Sequence, residues 1–152
     1  MIKRNEDIII QTVTRLLTPF VQLFALYVIA HGHYSPGGGF QGGCILAASF
    51  ILMAVANDVA FVKRRLPERL TTALISAGVL IYAGIGLACL MLGANFLDYG
   101  ILHRVLPVDA VKARALATLG VEIGVGITVM AVMVSIFLNL LSAGRHEEGA
   151  VE

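Results

Sequence analysis

The sequence contains little charge and little cysteine, and both shortages exclude classes of protein. Asp, Glu, Lys and Arg together make up 14% of its 152 residues, against about 25% in soluble globular proteins. The net charge of +1 provides neither a basic surface for nucleic acid nor an acidic surface for basic partners. The two cysteines, Cys44 and Cys89, lie within apolar runs, which argues against a disulfide framework and a zinc site. A secreted mini-protein, a disordered chain and an ordinary cytosolic enzyme are therefore excluded.

The apolar residues, 58% of the chain, are arranged in runs long enough to span a membrane. No charged residue occurs between Arg15 and Asp58, a stretch too long for one membrane helix of about 20 residues. The segment 31–39, His-Gly-His-Tyr-Ser-Pro-Gly-Gly-Gly, is a strong turn signal that divides this stretch in two. We therefore predict transmembrane helices over about residues 8–30 and 41–61, followed by two more over about 70–93 and 116–141.

These runs predict an all-α polytopic membrane protein in which residues 1–152 form a single domain, with a glycine-rich break between the first two of four transmembrane helices. A cleaved signal peptide is not expected, because a span of full length precedes the glycine-rich turn. The N-terminus, the second loop and the C-terminal tail together carry seven Lys and Arg residues, whereas the third loop carries three and the first loop none. Because cytoplasmic segments are enriched in basic residues, both termini are predicted to face the cytoplasm.

Two carboxylates lie in or beside the predicted spans, where a charge near the bilayer centre costs about 2.5–3.5 kcal/mol. Glu122 lies inside the fourth predicted helix, between Gly120 and Gly124, and these small neighbours allow another helix, water or an ion to approach it. It is either an exchangeable site for a proton or cation or a structural carboxylate hydrogen-bonded to a partner. Asp58 lies at the cytoplasmic end of the second predicted helix, at the membrane face opposite to that of Glu122. It is either the entrance to a polar path or a solvated helix end.

Other polar side chains occur in and after the first predicted helix. His31 and His33 can titrate near neutral pH and modulate a proton path. No Cys, Asp or Glu lies near them in the sequence, so a metal site is not predicted. Arg15, two turns into the first helix, is expected to extend its long stem to the cytoplasmic interface.

Two glycine clusters around an aromatic residue and an amide form the most unusual segment of the sequence. Irregular backbone is tolerated at membrane depth only where it is buried in protein or lines a wet cavity, and its carbonyls can then coordinate a cation. A tight loop followed by a helix start is the alternative. A phosphate-binding loop is not predicted, because no Lys-Ser/Thr pair follows the glycines. The segment consists of Pro36, Gly37, Gly38, Gly39, Phe40, Gln41, Gly42 and Gly43.

Small residues recur along the third and fourth predicted helices, where they allow close approach of neighbouring helices. They serve either the internal packing of the four helices or docking onto other membrane subunits. Because four short-looped helices without a nucleophile–base pair, a nucleotide loop or a metal cluster do not form an enzyme, we predict an obligate subunit without catalytic residues, metal or cofactor. The small residues are Ala73, Ala77, Gly84 and Ala88 in the third helix and Gly120 and Gly124 in the fourth.

The run from His31 to Gly43 closely resembles the signature of the MrpB/MnhB family, small membrane subunits of multisubunit cation/proton antiporters. The segments Thr12–Phe20 and Val121–Gly126 also resemble family segments, and the resemblance extends from about residue 8 to about residue 141. It implies a subunit of an Mrp-type antiporter that exchanges cytoplasmic Na⁺, or a related monovalent cation, for external H⁺. The implied partners are other membrane subunits in a bacterial or archaeal cytoplasmic membrane.

Carried over by motif, the segment from Pro36 to Gly43 forms the irregular part of the ion-translocating module, and Glu122 is a candidate proton or cation ligand. Related subunits also occur in membrane-bound hydrogenases and sulfur-reducing complexes, in which ferredoxin oxidation drives the same ion module. The motif does not separate these complexes, and an assembly scaffold is a third interpretation. In a scaffold, Glu122→Gln is harmless, whereas bulky residues at Gly120 or Gly124 dissolve the complex. The candidate residues of an ion path are Glu122, Asp58, His31, His33 and Gln41.

Overall fold

The computed structural model describes residues 8–32, 37–57 and 59–148, with side chains up to residue 141. Within these ranges the chain is helical and contains four helices long and apolar enough to cross a membrane. This confirms the prediction of an all-α protein with four spans. The helices are α1 (Ile8–Ala30), α2 (Gly39–Ala56), α3 (Val59–Arg65), α4 (Glu68–Met91) and α5 (Ala110–Glu148), and a 3₁₀ helix (Tyr99–Arg104) lies between α4 and α5.

The α1 helix covers the range predicted for the first span, whereas the second predicted span is divided between α2 and α3. The division follows Asn57, whose side-chain Nδ2 donates to the carbonyl of Met53 at 3.2 Å. Asparagine competes for backbone hydrogen bonds in this way and therefore favours helix ends. Pro67 then precedes α4 and its carbonyl accepts hydrogen bonds from the backbone N–H groups of Leu70 and Thr71, as expected for a residue suited to a helix start.

The last helix is longer than predicted at both ends. It begins at Ala110, directly after Asp109, whose carbonyl accepts a hydrogen bond from the N–H of Ala113 at 2.8 Å. We assigned the polar segment around Lys112 and Arg114 to the third loop, with a short helical lead-in capped by Asp109 as the alternative. In the structure this segment forms the first turns of α5. The helix also continues beyond Leu141, where the fourth span was predicted to end, to Glu148.

The four spans pack in the order α1, α2, α5, α4, so that α5 contacts the other three. The main apolar core lies where α2, α3 and α5 meet, away from the glycine-rich turn. Its α5 residues recur every four positions, which places them on one face of the helix. The buried members of this core are Ala47, Leu66, Met130, Val134 and Leu138, and a smaller cluster contains Met53, Ala54 and Val62.

Glycine sets the distance between α4 and α5. A Cβ atom on Gly124 would lie 2.9 Å from the carbonyl oxygen of Gly78, and a Cβ atom on Gly78 would overlap the hydroxyl of Thr128. The small residues predicted along the third span lie elsewhere: Ala73, Ala77 and Gly84 are exposed. The internal-packing interpretation is therefore wrong for these three residues, because a different face of α4 contacts α5, whereas Ala88 is half-buried. Gly124 packs inside the chain, so bulky residues there would disrupt this subunit itself.

Two glycines on α4 provide a matched test of this packing. Gly78→Ala places a Cβ against Thr128 and the backbone of α5, and we expect it to destabilise the chain by about 1–3 kcal/mol. Gly84→Ala meets no heavy atom of the described residues within 4 Å, and we expect it to be neutral or to stabilise by up to about 1 kcal/mol. Thermal unfolding of each variant in its assembled complex measures the difference. Equal effects at the two positions would contradict the close α4–α5 contact.

Candidate functional site

The side chain of Glu122 lies where α1 ends and α2 begins. A Cβ atom on Gly32, just after α1, would lie 2.6 Å from the Glu122 carboxyl carbon and closer still to Oε2. A Cβ atom on Gly38, just before α2, would lie 3.6 Å from Oε1. We call Gly32, Gly38, Gly39 and Glu122 the carboxylate niche. Any larger residue at Gly32 would occupy the space that the carboxylate fills.

Gly39 brings the start of α2 against the backbone of α5. A Cβ atom on Gly39 would overlap the carbonyl oxygen of Glu122 and lie 2.9 Å from the Cα of Glu122. One turn later, a Cβ atom on Gly43 would lie 2.7 Å from the carbonyl oxygen of Gly126. The two α2 glycines are four residues apart and so lie on one face of the helix. The glycine-rich segment therefore permits α2 to pack closely against the part of α5 that carries the carboxylate.

Gly42 faces a different helix. A Cβ atom on Gly42 would lie 2.8 Å from the carbonyl oxygen of Ala25 in α1 and closer still to the side chain of Ile29. Adjacent positions on a helix are about 100° apart around its axis, so Gly42 and Gly43 contact α1 and α5 respectively. Together the glycines hold α2 tightly between its two neighbours.

The helix ends around the niche give it a defined electrostatic character. Oε2 of Glu122 is buried. The N-terminal end of α2 presents backbone N–H groups and a partial positive charge, which favours the carboxylate. The C-terminal end of α1 presents carbonyl groups and a partial negative charge, which favours a cation. A carboxylate between two such ends can hold a proton, or it can hold a monovalent cation with carbonyl oxygens as further ligands.

The niche lies near one edge of the membrane-spanning region. The α2 helix has 18 residues and a length of about 27 Å, close to the thickness of the hydrocarbon layer. Because Glu122 packs against the first residue of α2, it lies level with the end of this span rather than at its middle. We expected Glu122 about a turn and a half into its helix. It lies more than three turns into α5, because that helix begins at Ala110.

The glycine-rich segment is less irregular than predicted. Gly39, Phe40, Gly42 and Gly43 are helical residues of α2. This contradicts irregular backbone at these four positions and agrees with the helix start that was the alternative. The helix can begin this early because the close contacts with α1 and α5 compensate for the low helix propensity of glycine. Phe40 and Gln41 are exposed on the outer side of α2. Among the described residues, only Gly37 and Gly38 lie outside helices in this segment.

The structure does not bring the other polar candidates into the niche, or does not describe them. His31 is exposed, and its ring contacts that of Tyr27 with the centroids 4.2 Å apart. Asn57, the neighbour of Asp58, lies at the opposite end of α2 from Gly39. His33, Pro36 and Asp58 lie outside the described residues.

Sequence reasoning did not connect Glu122 with the glycine-rich segment, although both were candidates. It also did not select Gly32 and Gly126, which lie against the carboxylate and the α2 glycines respectively. A usable signal was present: a second glycine group surrounds Glu122 in α5, and two glycine groups on separate spans indicate close helix approach.

Comparison with known proteins places these features in a family. A family model described as "Domain related to MnhB subunit of Na+/H+ antiporter" matches residues 9–135. A Na⁺/H⁺ antiporter subunit of Bacillus subtilis is 32% identical over 91% of this chain and 95% of its own length. The putative antiporter subunit mnhB2 of Staphylococcus haemolyticus is 34% identical over 93% of this chain and 99% of its own length. A Na⁺/H⁺ antiporter subunit of Alkalihalophilus pseudofirmus is 27% identical over 90% of this chain and 94% of its own length.

Proposed function

The chain belongs to the MnhB family of Na⁺/H⁺ antiporter subunits, and we therefore propose that it is a small, multi-pass membrane subunit of a multisubunit monovalent cation/proton antiporter. Its four apolar helices suit it to a cell membrane. The names of its relatives favour an antiporter over the redox-driven complexes that share related subunits. Its role is transport without covalent chemistry of its own.

The carboxylate niche is the observation that supports a direct part in ion movement. Glu122 is half-buried with Oε2 enclosed, and it lies between a helix end that favours an anion and one that favours a cation. Such a group can bind a proton and a monovalent cation in turn, because each neutralises the same single negative charge. Exclusive binding of this kind is what exchange of the two ions requires. Because Gly32 and Gly38 have no side chains, the two helix ends come close to the carboxylate.

We propose an orientation of the chain from its basic residues. Both termini lie on one side of the membrane if all four helices cross it, and the α3 region on that side carries Lys63, Arg64 and Arg65. The positive-inside rule assigns that side to the cytoplasm. In this orientation the carboxylate niche lies toward the external face, where α1 ends and α2 begins.

Membership of the family implies other subunits as partners, and the surface of the chain is suited to them. Less than a quarter of the α1 and α4 spans is buried within the chain. Large apolar side chains on α1 are exposed, with Leu16 at 64%, Phe20 at 63% and Leu23 at 64%. Lipid or neighbouring subunits cover these side chains in the membrane.

A comparison of complexes with and without this chain tests the proposal. Inverted vesicles that carry the whole complex are expected to show sodium-dependent proton movement, which falls to background when this chain alone is omitted and returns when it is supplied again. The remaining subunits are followed on a native gel. Full sodium-dependent exchange without the chain would overturn the proposal, as would its failure to co-purify with the other subunits.

A further inference from the structure

A cleft of about 570 Å³, lined by both polar and apolar side chains, opens between α1 and the α2–α3 turn, at the opposite end of α2 from the carboxylate niche. Its α1 wall comes from the middle of that helix, and its other wall comes from the end of α2 and from α3. Six of its lining residues matter for what it binds: Arg15, Pro19, Met53, Asn57, Phe61 and Arg65.

The charge of the cleft favours an anion. The charged residues among its described lining are Arg15 and Arg65, one on each wall. The guanidinium carbon of Arg65 lies 4.7 Å from the centroid of the Phe61 ring, an arrangement that holds the group over an apolar surface. Guanidinium groups bind phosphate oxygens through paired, charge-assisted hydrogen bonds. The same two charges oppose the entry of a cation, so this cleft does not suit the mouth of a sodium path.

Asn57 adds a requirement for a hydrogen-bond donor. Its side chain lines the cleft, and the residue is only 8% exposed. Nδ2 donates to the carbonyl of Met53, whereas Oδ1 accepts no hydrogen bond from any residue that the structure describes. A buried acceptor without a donor is costly. A ligand that offers both an anionic phosphate and a hydroxyl donor would satisfy the arginines and Asn57 together.

We propose that this cleft binds an anionic glycerophospholipid whose headgroup carries a free hydroxyl, as phosphatidylglycerol does. Arg15 and Arg65 hold the phosphate, and the headgroup hydroxyl donates to Oδ1 of Asn57. The acyl chains lie along the exposed apolar face of α1, where Leu16 is 64% and Phe20 is 63% exposed. Basic pockets between membrane helices on the cytoplasmic side are suited to anionic headgroups. The inference rests on the chain's place in the membrane and not on Glu122.

Native mass spectrometry of the complete complex, titrated with phosphatidylglycerol, tests the site. We expect Arg15→Gln and Arg65→Gln each to weaken binding of this lipid about fivefold, at roughly 1 kcal/mol for each basic residue near the headgroup. Arg64→Gln is the matched control, because Arg64 is exposed on the same short helix but does not line the cleft. It is expected to leave the affinity unchanged.

Three further probes separate the sources of the ligand chemistry. Phosphatidylethanol has the same charge as phosphatidylglycerol but lacks the headgroup hydroxyl. It is expected to bind the native complex more weakly than phosphatidylglycerol does. In the Asn57→Ala complex the two lipids are expected to bind with equal affinity. Phosphatidylcholine and inorganic phosphate are expected to show no binding that depends on Arg15. The proposal is overturned if Arg64→Gln weakens binding as much as Arg15→Gln, if inorganic phosphate competes as well as the lipid, or if another subunit fills the cleft in the assembled complex.

Discussion

Replacement of Glu122 by Gln is expected to abolish sodium-dependent proton movement while the complex still assembles. The amide has nearly the same size as the carboxyl group, so the contacts with Gly32 and Gly38 are retained. It carries no negative charge and cannot release a proton, so neither ion of the exchange can be held. The measurement is sodium-dependent proton movement in inverted vesicles that carry the whole complex, with assembly checked on a native gel from the same preparation.

Glu68→Gln is the matched control for this experiment. Glu68 is an exposed carboxylate in the first turn of α4 and lies outside the niche, so its replacement removes the same charge without affecting the proposed site. We expect sodium-dependent proton movement by the Glu68→Gln complex to match that of the native complex. Unchanged transport in Glu122→Gln would contradict a part for Glu122 in ion movement and would support the interpretation of this chain as an assembly scaffold. Loss of assembly in that variant would assign Glu122 a structural role instead.

Gly39→Ala is expected to have the largest effect among the glycine substitutions at the niche. The added Cβ would overlap the carbonyl oxygen of Glu122 and lie 2.8 Å from the carbonyl carbon. Backbone atoms of a packed helix cannot rotate away as a side chain can, so α2 and α5 must separate. We expect a loss of about 3 kcal/mol in stability, the upper part of the usual range for overpacking. Transport should fall as well, because the start of α2 moves away from the carboxylate.

Thermal unfolding of the assembled complex measures the loss of stability in Gly39→Ala, and the vesicle assay measures the loss of transport. Gly84→Ala provides the reference, because the same methyl group is added where no described atom lies within 4 Å. Native stability in Gly39→Ala would show that α2 does not lie against the backbone of Glu122. Native transport in a destabilised complex would separate the packing of α2 from ion movement.

The positions of the spans could be predicted because the membrane imposes a simple rule on the sequence. A helix that crosses the hydrocarbon layer needs about 20 residues with almost no charge, and the sequence meets this condition four times. The range of α1 was predictable for this reason, since a clear turn signal divides the charge-free run after it. The start of α5 was predictable only in part. Asp109 indicated a helix start, but Lys112 and Arg114 made the following turns resemble a loop, although helices continue readily through exposed charged residues.

The contacts of the candidate site depend on distances in space that one sequence does not encode. Gly32 and Glu122 are ninety positions apart in the chain, and the two glycine groups indicate a close approach of helices without indicating which residues touch. The break at Asn57 was within reach of sequence reasoning, because asparagine side chains compete for backbone hydrogen bonds and therefore favour helix ends. The chemical type of the site, one carboxylate among glycines, was predictable, but its partners were not.

The tight fit between Gly32 and the Glu122 carboxyl group has a consequence for how this protein can evolve. A methyl group at position 32 needs the volume that the glutamate now fills, and it would also lie 2.6 Å from the Cα of Gly38. A shorter acid at position 122 removes only the first of these two clashes, because the second is with the backbone. Glycine is therefore expected to persist at position 32 in any lineage that keeps this packing, whichever acid occupies position 122.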